Sequence, residues 1–128
     1  MTIEALIYTR LSGYSGLTAL IGTRIYPLVV SELSAYPAVT VQTISNPERE
    51  HCMGRDAVIS RPRIQITAWA DTYPEVVNVI TQVVLALRRY STTGIQDTFL
   101  IAEPYDLDYE DEAKKYGRAV DIGPIAVD

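Results

Sequence analysis

Apolar positions recur with a helical period in two stretches of the chain. The first stretch, residues 2–12, places Ile3, Leu6, Ile7 and Leu11 on one face and predicts a helix that Gly13 ends. The second follows Thr72-Tyr73-Pro74-Glu75, a segment spaced as a helix N-terminus with a capping box. Its predicted stripe is Val76, Val77, Ile80, Val83, Val84 and Leu87, with Leu85 on the opposite side. A shorter helix is predicted over 15–21, before Gly22.

Alternating, β-branched segments predict the strands of a sheet. They cover residues 25–27, 38–44, 63–70 and 98–102, and a closing strand covers 114–127. Because proline donates no backbone hydrogen bond, Gly123-Pro124 predicts that the closing strand is an edge strand or bulges there. This order predicts an α+β fold, a mixed or antiparallel sheet with two main helices packed on one face.

The length of 128 residues predicts one domain over 1–128, with a long loop at 45–62. A hydrophobic content of 48% is too high for intrinsic disorder, and no apolar run is long enough to cross a bilayer. The only cysteine, Cys52, leaves no internal disulfide to form, which favours the cytoplasm or a particle assembled there.

Charge is unevenly distributed along the chain. The net charge of −5 argues against a protein whose main task is to bind nucleic acid. Six acidic residues lie within 103–112, and four arginines lie within 49–63. These segments could form a charge-complementary contact between copies of the chain, or they could be a solvated acidic turn and scattered surface arginines.

Catalytic and metal-binding patterns are weak. His51 and Cys52 are adjacent, whereas a Cys–His nucleophile pair usually comes from separate elements. Two nitrogen or sulfur ligands do not make a closed zinc site. The acidic segment 103–112 lacks the glycine of an EF-hand loop, although its carboxylates could in principle bind calcium. We therefore predict no enzyme, no catalytic residue, no cofactor and no metal site.

Protein–protein contact is the better supported alternative. Nine tyrosines accompany one tryptophan and one phenylalanine, and tyrosine is enriched at interfaces. The apolar segment Ala57-Val58-Ile59 is expected outside the sheet, where it would either meet a partner or fold back on its own core.

Ordered landmarks along nearly the whole chain give a family resemblance. After the opening helix they are residues 17–27, ending in Thr23-Arg24-Ile25-Tyr26-Pro27; the segment Tyr36-Pro37-Ala38-Val39-Thr40-Val41-Gln42; the passage from Arg63 to Val76; and a closing strand over 116–122. Together they resemble the tail-completion, or tail-terminator, proteins of phages with long non-contractile tails. The highly charged acidic turn and Gly123-Pro124 depart from the family pattern.

The resemblance implies a structural virion protein. Such proteins form a ring, commonly a hexamer, on the tail tube, stop its elongation and join the tail to the head connector or stopper. DNA passes through the lumen without specific binding, no membrane is involved, and assembly takes place in the host cytoplasm. The alternatives are another neck component, such as a stopper or head–tail adaptor, and a small Cys/His enzyme.

Two groups of residues are predicted to make contacts. The subunit or tube interface is assigned to Arg49, Arg55, Ala57, Val58, Ile59 and Arg61. A surface facing the lumen or a neighbouring subunit is assigned to Asp106, Asp108, Glu110 and Asp111. An acidic lumen would keep passing DNA from adhering, because like charges repel.

Overall fold

The computed structural model describes residues 3–27, 35–45, 50–51, 58–107 and 115–127. Three helices are present in this part: α1 (Ile3–Gly13), α2 (Ser15–Ile21) and α3 (Tyr73–Leu87). The predicted helices are confirmed to within one residue at the ends that can be compared. Gly22 ends α2 with a positive φ of 60°, a conformation that glycine adopts without a steric penalty.

The N-terminus of α3 differs in detail from a reciprocal capping box. Thr72 is the N-cap, but its hydroxyl donates to the Glu75 carboxylate at 2.9 Å and does not bond to the helix backbone. The two residues therefore meet through their side chains. The carboxylate still lies in the first turn, where the helix dipole favours a negative charge.

Seven strands of the described residues form one mixed sheet, which confirms the predicted α+β class. They are β1 (Ile25–Pro27), β2 (Ala38–Ser45), β3 (Glu50–His51), β4 (Val58–Ser60), β5 (Arg63–Ala70), β6 (Ile95–Asp106) and β7 (Tyr116–Val127). Strand β1 pairs in parallel with β2, and the other pairs are antiparallel. The order β1-β2-β5-β7-β6 places β1 and β6 at opposite sides of the sheet.

The closing strand β7 is central, so an edge position, the first of the two expectations for Gly123-Pro124, was wrong. The alternative, a bulge, is absent on the β6 side, where the pairing has no register shift at these two residues. Strand β7 pairs with β5 through Tyr116–Ile122 and with β6 along its other side. On the β5 side, the pairing stops at Ile122 and resumes with β4 at Ala126. Pro124 lies in this interruption. The missing N–H of proline thus costs no hydrogen bond to β4 or β5, which makes a proline acceptable inside a central strand.

A continuous hydrophobic core joins the helices to the sheet. Alternate residues of β5 (Ile64, Ile66, Ala68 and Ala70) are buried in it, as are side chains from all three helices. In α3 the buried set is Val76, Val79, Ile80, Val83, Ala86 and Leu87. The buried face of α3 is thus rotated from the predicted stripe towards Val79 and Ala86. The reason is that α3 contacts α1 and α2 as well as β5 and β7. Leu85 is 57% exposed, as predicted.

Candidate interaction surfaces

An exposed apolar surface lies where β6 pairs with the C-terminal part of β7. Phe99 is 45% exposed and Ile101 is 47% exposed, and both line a cavity of about 190 Å³. We call this surface the Phe99 patch; its residues are Arg61, Pro62, Phe99, Ile101, Gly123 and Ile125. A Cβ atom at Gly123 would lie 2.9 Å from Cδ1 of Ile101, so glycine allows Ile101 to lie directly against β7. Two large apolar side chains thus remain open to solvent on an outer strand.

A second apolar surface lies on the other side of the sheet, between α1, β1 and β2. It is a groove of about 440 Å³, and Tyr8, at its wall, is 46% exposed. We call it the Tyr8 groove; its lining includes Glu4, Tyr8, Ile25, Tyr26, Val41 and Thr43. The Thr43 hydroxyl donates to the Glu4 carboxylate at 2.6 Å, which fixes a negative charge at the groove.

Asp106, the last residue of β6, belongs to a small polar cluster. The Tyr73 hydroxyl donates to Asp106 at 2.9 Å, and the Arg118 guanidinium bonds to the other oxygen of the same carboxylate. The hydrogen bond from Tyr73, reinforced by Arg118, lowers the pKa of Asp106 below its ordinary value of 3.8. The same bond raises the pKa of Tyr73, since it favours the protonated phenol. Asp106 is thus held as an anion.

A polar network on the sheet consists of the side chains of Arg63, Gln65, Tyr105 and Asp121. Asp121 is only 3% exposed. Its carboxylate accepts a hydrogen bond from Nε of Arg63 at 3.0 Å and another from the Tyr105 hydroxyl at 2.8 Å. Gln65 donates to the same hydroxyl at 2.7 Å. Burial is the main cause that raises the pKa of Tyr105. Each of these four side chains has a hydrogen-bond partner within the network, which is typical of a structural element.

The predicted interface residues fall in different places. Arg61 is exposed and belongs to the Phe99 patch. The backbone of Val58 and Ile59 lies in β4, which pairs with β3 and β7, so the expectation that this segment lies outside the sheet was wrong. The backbone groups of the segment gain hydrogen bonds there that a free loop would have to find in water. Arg49, Arg55 and Ala57 lie outside the described residues.

In the predicted acidic surface, Asp106 is exposed at the end of β6. Asp108, Glu110 and Asp111 lie outside the described residues. The assignment of all four to a lumen or subunit contact stays a prediction.

Catalytic chemistry gains no support from the geometry. His51 is the last residue of β3, and Cys52 lies outside the described residues. No cluster of three or more potential metal ligands occurs in the described part of the chain. None of its helices has the length and hydropathy needed to cross a membrane.

The sequence interpretation missed Phe99, Ile101 and the Tyr8 groove. A signal for the Phe99 patch was present, because the segment 99–101 is apolar at three consecutive positions and strand side chains alternate between faces. Leu100 packs against the core, so its two neighbours must point away from it. The groove had no sequence signal, since it arises from the packing of α1 against β1 and β2.

Comparisons with known proteins bear on the fold and the family of the chain. A search of curated proteins finds no match. A solved structure described as the virion of a native gene transfer agent particle contains a similar chain, with a TM-score of 0.76. The two chains are 14% identical, and the alignment covers 98% of this chain and 95% of the other. This likeness establishes a shared fold.

The family comparison is more specific. The model of the family "Tail completion protein gp17" matches residues 5–111, most of the chain. The match spans most of α1, the other two helices, the outer strands β1 and β6, and all but the last residue of the acidic segment 103–112. The chain therefore belongs to the tail completion protein gp17 family and is a structural protein of the phage tail.

Proposed function

We propose that this protein is a ring-forming tail terminator. Copies of the chain close into a ring, with six as the expected number, on the head-proximal end of the tail tube. The ring stops addition of further tube subunits and presents a surface to the connector or stopper at the head. The match to the tail completion family over residues 5–111 is the observation that carries this proposal.

The distribution of exposed apolar groups supports self-assembly. A ring needs two different surfaces on each copy, so that one copy contacts the next in the same way around the circle. The Phe99 patch and the Tyr8 groove are two such surfaces, and they lie near opposite sides of the sheet. Exposed apolar groups on a small protein commonly mark contacts with other proteins.

The acidic segment 103–112 suits a lumen through which DNA passes. Asp106 is ionised, but the Arg118 guanidinium offsets its charge, so the net negative charge of this surface would come from the acidic residues that follow. Asp108, Glu110 and Asp111 follow it in the sequence. A negative wall repels the phosphate backbone and so prevents specific or lasting contact with DNA. In the proposed role the partners are other copies of the chain, the tube protein and the connector, and no membrane or cofactor takes part.

Tube assembly in vitro tests this function. The purified chain is added to polymerising tube protein, and tube length and tube ends are examined by electron microscopy, with native mass spectrometry of the chain alone. We expect closed rings at one end of each tube and shorter tubes than in reactions without the chain. Tubes of unchanged length with bare ends, together with no ring in solution, would contradict the proposal.

The neighbouring alternative is a stopper or adaptor between portal and tail. The position of the chain in the particle distinguishes this alternative from a tail terminator. A label fused to this chain should appear at the junction of the tube with the neck. A label next to the portal, away from the tube end, would assign the chain to the alternative role.

A further inference from the structure

The Phe99 patch and the Tyr8 groove differ in the chemistry of their apolar parts. The patch offers an aromatic ring and a branched aliphatic side chain, each nearly half exposed. The groove is a larger cavity, about 440 Å³ against about 190 Å³ at the patch. The exposed side chains of Phe99 and Ile101 therefore have an apolar space of suitable size in the Tyr8 groove of another copy. Large aromatic side chains in such spaces dominate many interfaces.

The charges at the two surfaces are opposite. Arg61 belongs to the Phe99 patch, and the Arg89 guanidinium lies 5.9 Å from the centre of the Phe99 ring. Glu4 lies at the Tyr8 groove, where Thr43 holds its carboxylate. Arg89 also pairs with Asp97 at 3.0 Å, so Arg61 is the cation of the patch better placed to meet a partner's acid. Opposite charges around an apolar centre fix the register of a contact.

The position of the surfaces decides what kind of contact they make. Strand β1, at the groove, and strand β6, at the patch, occupy opposite sides of the sheet. One chain is thus unable to fill its own groove with its own Phe99. Two copies that meet patch to groove leave one free patch and one free groove. Such a head-to-tail contact can repeat from copy to copy, and it generates a ring where the rotation between copies closes.

We infer that Phe99 and Ile101 of one copy insert into the Tyr8 groove of the next copy, with Arg61 facing Glu4 of that copy. The inference rests on the proposed ring and names the contact that builds it. Stable interfaces bury roughly 800 Å² on each partner, more than two side chains provide. Phe99 and Ile101 are therefore the centre of a larger contact.

Disulfide trapping tests the pairing directly. Cys52, the single cysteine, is replaced by serine, and Tyr8→Cys and Ile101→Cys are made separately in that background. A disulfide forms only where the two Cα atoms come within about 7 Å. We expect covalent dimers when the two variants are mixed and oxidised, and little dimer from either variant alone. The double variant should form covalent ladders up to the size of the ring.

Leu85→Cys is the matched control. Leu85 is another exposed large apolar residue, but it lies on α3 and belongs to neither surface. A mixture of Leu85→Cys with Ile101→Cys should give no more dimer than either variant alone. Equal trapping in this control mixture would show random collision and overturn the inference.

A charge exchange tests the polar part of the contact. Glu4→Arg and Arg61→Glu should each weaken assembly by about two- to fivefold at low salt, the range of exposed ion pairs. The double variant restores the pair with reversed polarity, so its assembly should return towards that of the parent. A double variant no better than the weaker single variant would remove the Arg61–Glu4 contact.

The outcomes separate this inference from the proposed function. Rings on tube ends without a Tyr8–Ile101 crosslink would keep the function and overturn the contact. Dimers from Tyr8→Cys alone would show a symmetric contact and also overturn it. A crosslink to the tube protein in place of a second copy would show that the tube protein occupies the surface, and it would overturn the inference. Absence of any ring, alone or on tubes, would overturn both.

Discussion

Gly117 is a position where one missing carbon atom allows a tryptophan to pack. A Cβ atom there would lie 2.8 Å from Cζ3 of Trp69, its partner across the β5–β7 ladder. The indole also donates to the Thr40 hydroxyl at 3.4 Å, which ties β2 to β5 through side chains. The six-membered ring of the indole thus occupies the space that a side chain at residue 117 would need.

Gly117→Ala is therefore expected to destabilise the fold by about 1–3 kcal/mol, the usual cost of forcing an extra carbon into a packed site. Urea denaturation measures it. Gly13→Ala is the matched control, because nothing lies within 4 Å of its Cβ position. The control should change stability by less than about 1 kcal/mol. Equal effects from both substitutions would contradict the tight contact with Trp69.

Asp106 links local electrostatics to the pH dependence of stability. Its pKa is lowered in the folded chain by the Tyr73 hydroxyl and by Arg118. The ionised form is thus favoured by folding. Its contribution is fully present above the ordinary pKa of 3.8 and is lost as the pH falls through the lower value of the folded state. The size of this contribution is small, since the group is exposed.

Asp106→Asn should lower the melting temperature slightly at pH 7. The difference from the parent should shrink as the pH falls below 3.8. Tyr73→Phe, which removes only the hydroxyl that bonds to Asp106 and Arg118, should show the same trend with a smaller amplitude. Thermal melts between pH 7 and pH 2 measure both. A difference that grows towards acid would reverse the assigned sign.

Helix α3 shows how an element gains its stability from packing. Its valines lower the intrinsic helix propensity, but six of its side chains are buried between the sheet and the other two helices. Ile80 is 1% exposed, whereas Leu85 on the same helix faces solvent. The two residues have the same number of carbon atoms and different surroundings, which makes them a controlled pair.

Ile80→Ala should cost about 2–4 kcal/mol, because it removes apolar burial and leaves a cavity. Leu85→Ala should stay within about 0.5 kcal/mol, as is usual for surface substitutions. Chemical denaturation followed by circular dichroism measures both. If Leu85→Ala proved as costly as Ile80→Ala, the assigned orientation of α3 would be wrong.

At the scale of the whole molecule, charge is expected to tune assembly. Arg61 belongs to the Phe99 patch, and Arg55 lies in the same arginine-containing segment of the sequence. Reversing both charges would place acidic groups where acidic groups of a neighbour are expected. Exposed charges interact over about 10 Å at 0.1 M salt and over less at higher salt.

Arg55→Glu/Arg61→Glu should therefore raise the concentration needed for ring formation by several-fold at low salt and by less at 1 M salt. The neutral pair Arg55→Gln/Arg61→Gln is the control and should give an intermediate effect. Sedimentation or mass photometry across a salt series measures it. A ring of unchanged stability at low salt would remove these arginines from the contact.

Local patterns determined most of the secondary structure. Periodicity placed α1, β5 and the start of α3 to within a residue, because a helix or strand with one buried face repeats its apolar side chains at a fixed spacing. Gly22 marked the end of α2. The strand predicted at 98–102 was too short, since β6 extends over Ile95–Asp106. Its partner is β7, and pairing with a distant strand leaves no local signal at residues 103–106.

Long-range packing decided the rest. The sequence by itself determined the α+β class, the helices and the landmarks of the tail completion family, since these depend on neighbouring residues and their order. Only the tertiary structure placed β7 at the centre, Val58–Ile59 in the sheet and the Tyr8 groove between α1 and β2. Strand order and cavities depend on contacts between residues far apart in the chain, and no local spacing specifies which segments those will be.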